Sequence, residues 1–63
     1  MAIYQCLFFK NGRITYWENI EAESPGSLRE VLAERLRSGM WDLAEAWLGD
    51  TLSFRIEAGP PRM

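Results

Sequence analysis

Apolar residues crowd the first strand-like segment of the chain and then recur at two different periods, and that change of period organises the sequence. Ala2 to Lys10 is rich in aromatic and β-branched residues and predicts a strand, with Arg13 to Ala22 as its partner. The two residues between them, Asn11-Gly12, are the pair that tolerates positive φ at both central positions of a type I′ turn. An uninterrupted two-residue turn sets the expected register: Phe9 opposite Ile14, Leu7 opposite Tyr16, Cys6 opposite Trp17, Gln5 opposite Glu18 and Ile3 opposite Ile20. One face then carries Ile3, Leu7, Phe9, Ile14, Tyr16 and Ile20, interrupted by Gln5 and Glu18. The other carries Tyr4, Cys6, Phe8 and Trp17. Both faces are apolar, whereas an antiparallel hairpin commonly has one polar face.

Ser24-Pro25-Gly26-Ser27 breaks the strand pattern and starts a helix. Ser27 and Glu30 fit a capping box, and Ser24-Pro25 offers a start one turn earlier. Leu28, Val31, Leu32 and Leu36 recur at helical spacing toward a core, and Ser38-Gly39 ends the element. Met40 to Leu48 has two readings. In the first, Leu43 to Leu48 is a strand turned at Gly49-Asp50 into Thr51 to Glu57, pairing Trp47 with Leu52, Glu45 with Phe54 and Leu43 with Ile56. In the second, the helix continues through the good helix formers Ala44 to Ala46. The last strand alternates cleanly, Leu52, Phe54, Ile56 and Ala58 against Thr51, Ser53, Arg55 and Glu57. The expected fold is α+β, an antiparallel sheet with one helix packed on a face, in order ββαββ; the alternative is ββαβ with a longer or kinked helix. The domain is expected to span residues 1–58, with 59–63 a loose, proline-rich tail.

Composition narrows the function classes. The chain has 63 residues, a net charge of −2 and a globular balance of 48% hydrophobic and 25% charged residues. That charge offers no electrostatic reason for nucleic acid or an anionic membrane as partner. No basic region precedes a long apolar run and no stretch approaches the ~20 apolar residues of a membrane span, so the expected setting is cytoplasmic, without a signal peptide. A domain this small is marginally stable unless something staples it. With one cysteine and no histidine it has neither an intrachain disulfide nor a histidine–thiolate zinc site, which leaves self-association as the expected staple.

Candidate chemistry is sparse. Cys6 is the only nucleophile of note; with no histidine to activate it and a mid-strand position, it reads as a small core residue. Glu21, Glu23, Glu30 and Glu34 lack the apolar surroundings that hold a proton at neutral pH and read as solvated faces. Arg35 falls inside the helix's apolar stripe. Its first reading is a side chain that packs its stem and snorkels to the rim. Its second is a partly buried pair with Glu18 or Glu45, carboxylates that, with Gln5, interrupt the apolar hairpin faces. Tyr4, Cys6, Phe8 and Trp17 form the candidate interface, since exposed aromatic patches usually mark association; the alternative is that a second element of the same chain covers this face. No catalytic, metal or cofactor site is expected.

Tyr4, Phe8-Phe9, Gly12-Arg13-Ile14, Glu21-Ala22 and the Trp47-Leu48-Gly49-Asp50 turn, followed by Leu52, resemble the pattern of a type of short bacterial ββαββ protein without an assigned activity. The resemblance implies the second hairpin and no reaction; Met40-Trp41-Asp42 is an insertion relative to it. The hairpin-plus-helix outline from Ile3 to Leu36 is similar, more distantly, to small antitoxin domains. The expected function is therefore a non-enzymatic interaction domain, a homodimer through the first hairpin, with exchange of a hairpin about Ser38-Gly39-Met40 as one route. The alternative is a partner-binding module, antitoxin-like or working by β-strand addition.

Overall fold

Two β-hairpins flank a single helix in the computed structural model, in which residues 1–58 are described. The elements are β1 (Ala2–Lys10), β2 (Arg13–Ala22), α1 (Pro25–Leu36), β3 (Leu43–Leu48) and β4 (Thr51–Glu57). They form one four-stranded antiparallel sheet in the order β2-β1-β3-β4, so the two hairpins meet along β1 and β3 and the fold is the expected ββαββ. The helical reading of Met40 to Leu48 is thereby set aside: Ala44 and Ala46 lie in β3, fully buried opposite Phe8 and Cys6 of β1. Small side chains there let the helix approach the sheet, a tertiary requirement that overrides their helix propensity. The tail expected at 59–63 lies outside the described residues.

Asn11 and Gly12 both have positive φ, +56° and +79°, as a type I′ turn requires. At the second turn Gly49 has φ +65°, the first-position geometry of a type II′ turn. The registers expected beyond these turns are corrected by one β-bulge in each hairpin. Phe9 pairs with Ile14 but Phe8 pairs with Tyr16, which leaves Thr15 as the extra residue. Below the bulge Leu7 faces Trp17, Cys6 faces Glu18, Tyr4 faces Ile20 and Ile3 faces Glu21, one position away from the uninterrupted register. In the second hairpin Trp47 pairs with Leu52 as expected. The next pair is Ala46 with Phe54, so Ser53 is extra, and Glu45 faces Arg55 rather than Phe54. A single extra residue moves every later side chain to the other face.

The helix covers the face that this shift creates. Ser24 caps it: its side chain accepts from the Ser27 amide while the Ser27 hydroxyl accepts from the Ser24 amide. The reciprocal box is thus Ser24/Ser27, one turn before the expected Ser27/Glu30, with Pro25 in the first turn where its missing N–H is no loss. Leu28, Leu32 and Leu36, spaced by four, point into the core against Tyr4, Cys6, Phe8, Ala22, Ala44 and Ala46, all buried. Val31 falls outside this stripe and is 40% exposed, a correction to the expected core face. The loop after the helix is tied to the first hairpin's tip: the Asp42 amide donates to the Phe9 carbonyl and the Asn11 amide donates to the Asp42 carboxylate.

Candidate functional site

The sheet has two different faces: one lies beneath α1, and the other is open and mixes apolar with polar residues. On the helix side, Tyr4, Cys6 and Phe8 are 4%, 0% and 0% exposed. Three of the four residues expected as an interface are therefore core residues beneath α1, and only Trp17, 56% exposed, offers surface. The physical reason is the Thr15 bulge, which places Trp17 on the opposite side of the sheet from Cys6.

The helix-side rim holds the polar cluster. Cross-strand from Cys6, Glu18 receives two hydrogen bonds from Arg35 of the helix, Nη1 to Oε1 at 2.5 Å and Nη2 to Oε2 at 3.2 Å. Tyr16 donates its hydroxyl to the same carboxylate at 3.1 Å. Arg35 and Glu18 are each about one-third exposed, at 36% and 30%, so the second reading of Arg35 holds, at the edge of the core rather than inside it. Hydrogen bonding from Arg35 holds the Glu18 carboxyl below its ordinary range, and the same bonds hold the Arg35 guanidinium more firmly charged. The Tyr16 phenol is raised by its hydrogen bond to Glu18. Burial, and then the Glu18 charge, push the Cys6 thiol up to about 11. A thiol so placed is almost wholly protonated at neutral pH and is a poor nucleophile.

Trp41 completes this side in a way sequence periodicity did not reveal. Its ring packs 4.7 Å from Phe8 and stacks on Tyr16 at 5.6 Å with an 18° interplanar angle. A lone tryptophan in a connecting loop carries no periodic signal, so only the closure of the loop onto the sheet places it. Beyond it a groove of about 470 Å³ lies between the last helical turns and β4, lined by Leu36, Trp41, Ile56 and Ala58 with Arg37 and Glu57 among its polar residues.

The open face is the more distinctive surface. Alternation from Trp17 and from the core residues of β1 and β3 puts Ile3, Leu7, Phe9, Ile14, Trp17, Leu43, Trp47 and Leu52 on it. Ile3, Ile14, Trp17 and Leu52 are 61%, 54%, 56% and 39% exposed, and the others fill the gaps between them. Gln5 lies here, exposed, beside Trp47, and is not part of the Arg35 cluster. Glu45 lies here too, away from Arg35, and its partners are local. It accepts from Trp47 Nε1 at 3.1 Å and faces Arg55 Nε at 3.4 Å, with only 13% of its side chain exposed. The centre of the face is thus charge-balanced and tied down. Both bulges, at Thr15 and Ser53, fall in the edge strands β2 and β4.

Among the described residues no helix is long and apolar enough to cross a membrane, and no group of three or more His, Cys, Asp or Glu is placed to hold a metal ion. No family model, no curated protein and no solved structure matches the chain.

Proposed function

We propose that this chain is a non-enzymatic interaction domain that self-associates through the open face of its sheet. The observation that carries this reading is the set of exposed apolar side chains, Trp17 foremost, on the sheet face that the single helix leaves open. Ile3, Ile14, Trp17 and Leu52 are its most exposed apolar members, and exposed apolar patches on a monomer are often functional. The core is correspondingly slight: Cys6, Ala22, Ala44 and Ala46 are four of its buried members. A second layer over the open face supplies the apolar burial that a domain of this size otherwise lacks. Cys6, with its thiol raised to about 11, and Glu18 and Glu45, each engaged by an arginine, favour a structural role over catalysis. A reducing cytoplasmic setting suits the free buried thiol.

Strand addition is the weaker mode of association. Each edge strand carries its hairpin's bulge, a device that kinks an edge away from a pairing partner. Hairpin exchange is also less favoured, since β1 and β3 pair within the chain and Asp42 ties the connecting loop to the tip of the first hairpin.

Sedimentation equilibrium of the full chain tests the reading. A dimer is expected, converted to monomer by Trp17→Arg without loss of helical and sheet circular dichroism. A strict monomer at high micromolar concentration overturns it.

A further inference from the structure

The helix leaves bare not only the open face but also the helix-side end of the sheet near the tip of the first hairpin. There Tyr16, cross-strand from buried Phe8, is 44% exposed and stacks on Trp41, which itself rests on Phe8. We infer that this end of the domain docks an acidic segment of a partner protein, with an apolar side chain of the segment against Trp41 and its carboxylates on Lys10 and Arg13. The inference does not rest on self-association, since this surface is on the other side of the sheet from Trp17.

Alternation puts Lys10 on the same side of the sheet as Tyr4, Cys6 and Phe8, and its cross-strand partner Arg13 with it. Like charges directly opposite one another destabilise a hairpin. Neither cation is held by an ion pair among the described residues, where the pairs are Arg35–Glu18, Arg37–Glu34 and Arg55–Glu45. Asp42, the carboxylate tied to the same tip, accepts from the Asn11 amide and is not within ion-pair distance of either. Glu18 is engaged by Arg35 and Tyr16, and Glu57 alternates to the open face. The tip thus sets two exposed cations against one carboxylate, on a chain whose net charge is −2. An anionic group seated there relieves the repulsion, and charge complementarity therefore selects an acidic occupant.

An apolar seat adjoins these charges. The Lys10–Arg13 pair is two residues along β1 from the Phe8–Tyr16 pair, about 7 Å at ~3.4 Å per residue. Trp41 joins the two parts of the surface, because it stacks on Tyr16 and also lines the groove of about 470 Å³ that runs past Leu36 to Ile56 and Ala58. That volume accommodates a large apolar side chain, and binding clefts commonly fall between about 300 and 1,000 Å³. An extended segment advances about 3.4 Å per residue, so one with an apolar residue and Asp or Glu a few positions away engages groove and cations together. A single-stranded nucleic acid fits less well: two cations make no track for a phosphate backbone, and the net charge opposes one.

The full chain can be tested against an array of short peptides that space a Leu-Phe pair from Asp-Glu, Asn-Gln or Lys-Arg by increasing lengths, with a thymidine oligonucleotide alongside. Acidic members are expected to bind about tenfold or more tighter than their amide counterparts, and less tightly as salt rises from about 0.05 to 0.5 M. Titration followed by heteronuclear NMR should shift the Trp41 indole N–H and the amides of the first turn, and leave the Trp17 indole in place. Arg13→Glu turns the like-charge pair into an opposite-charge one, so it is expected to raise the thermal midpoint by roughly 2–5 °C while abolishing peptide binding. Lys10→Gln is expected to weaken binding several-fold, and Trp17→Arg to leave it unchanged. The assignment is overturned if no acidic member binds, if amide or basic members bind as well, or if the oligonucleotide binds more tightly. Shifts centred on Trp17, or acidic-peptide affinity unchanged in both Arg13→Glu and Lys10→Gln, overturn it too. None of these outcomes bears on self-association, which sedimentation reads separately.

Discussion

Arg35 reaches from the helix to β2 and grips both oxygens of Glu18, at 2.5 and 3.2 Å, while Tyr16 donates to one of them. The clamp joins α1 to the edge strand at the rim of the core, where water still reaches both side chains. Bidentate arginine–carboxylate pairs combine charge with fixed geometry, and partial exposure discounts their worth toward that of a surface pair.

Arg35→Met retains most of the packing of the stem and removes the clamp. It is expected to lower stability by about 1 kcal/mol, the low end for a charge-assisted hydrogen bond because the pair is one-third exposed. A double-mutant cycle with Glu18→Gln, read by urea denaturation, should give a coupling of similar size. Additive effects, or a more stable Arg35→Met, count against the clamp.

Stability should also depend on acid through the same carboxylate. Arg35's hydrogen bonds lower the folded Glu18 carboxyl from its ordinary value of 4.5. The unfolded chain then binds the proton more tightly than the folded one, so this contribution is fully present above the unfolded value. It is lost as pH falls through the folded one. Denaturation midpoints compared across the acid range for the wild type and Glu18→Gln should converge as pH falls below the carboxylate range. A constant difference across that range argues against the linkage.

Cys6 is expected to resist thiol reagents in the native protein. With the thiol at about 11 and no exposed surface, it should be modified at neutral pH only as fast as the chain opens. Labelling kinetics followed with and without urea check this. Rapid stoichiometric labelling of the folded chain shows that the strand is open where the fold has it closed.

The bulges make a further prediction, because deleting Thr15 removes the extra residue and leaves Phe9–Ile14 and Phe8–Tyr16 as consecutive pairs. The shortened chain should fold, with stability changed by about 1 kcal/mol or less, since it gains a regular ladder and loses only an exposed residue. Its straightened edge should aggregate more readily than the wild type. Light scattering during prolonged incubation reads the difference. Equal solubility means that the bulge does not guard the edge.

The legible parts of this fold were those set by local chemistry. Asn11-Gly12 and Gly49-Asp50 specify tight turns because few other pairs adopt the backbone angles required. Ser24-Pro25-Gly26-Ser27 and the helical spacing of Leu28, Val31, Leu32 and Leu36 mark a helix start and an apolar stripe, though the structure moves the cap to Ser24 and leaves Val31 outside the core. Alternation through Leu52 to Ala58 marks the last strand. From these comes the order ββαββ as one of two readings, and only the pairing of β3 with β1 sets aside the longer helix.

Which face is covered was not legible, because it depends on Thr15 and Ser53. Side chains alternate with a period of two, and an extra residue reverses everything beyond it. Nothing about an exposed threonine or serine announces that it will bulge. For that reason Tyr4, Cys6 and Phe8 lie beneath the helix instead of forming a surface with Trp17, Glu45 meets Arg55, and Arg35 meets Glu18. Turns and caps are decided by the energetics of a few neighbouring residues and can be read along the chain. Register and facing are decided by contacts between strands and helix far apart in sequence, so they exist only once the whole sheet has closed.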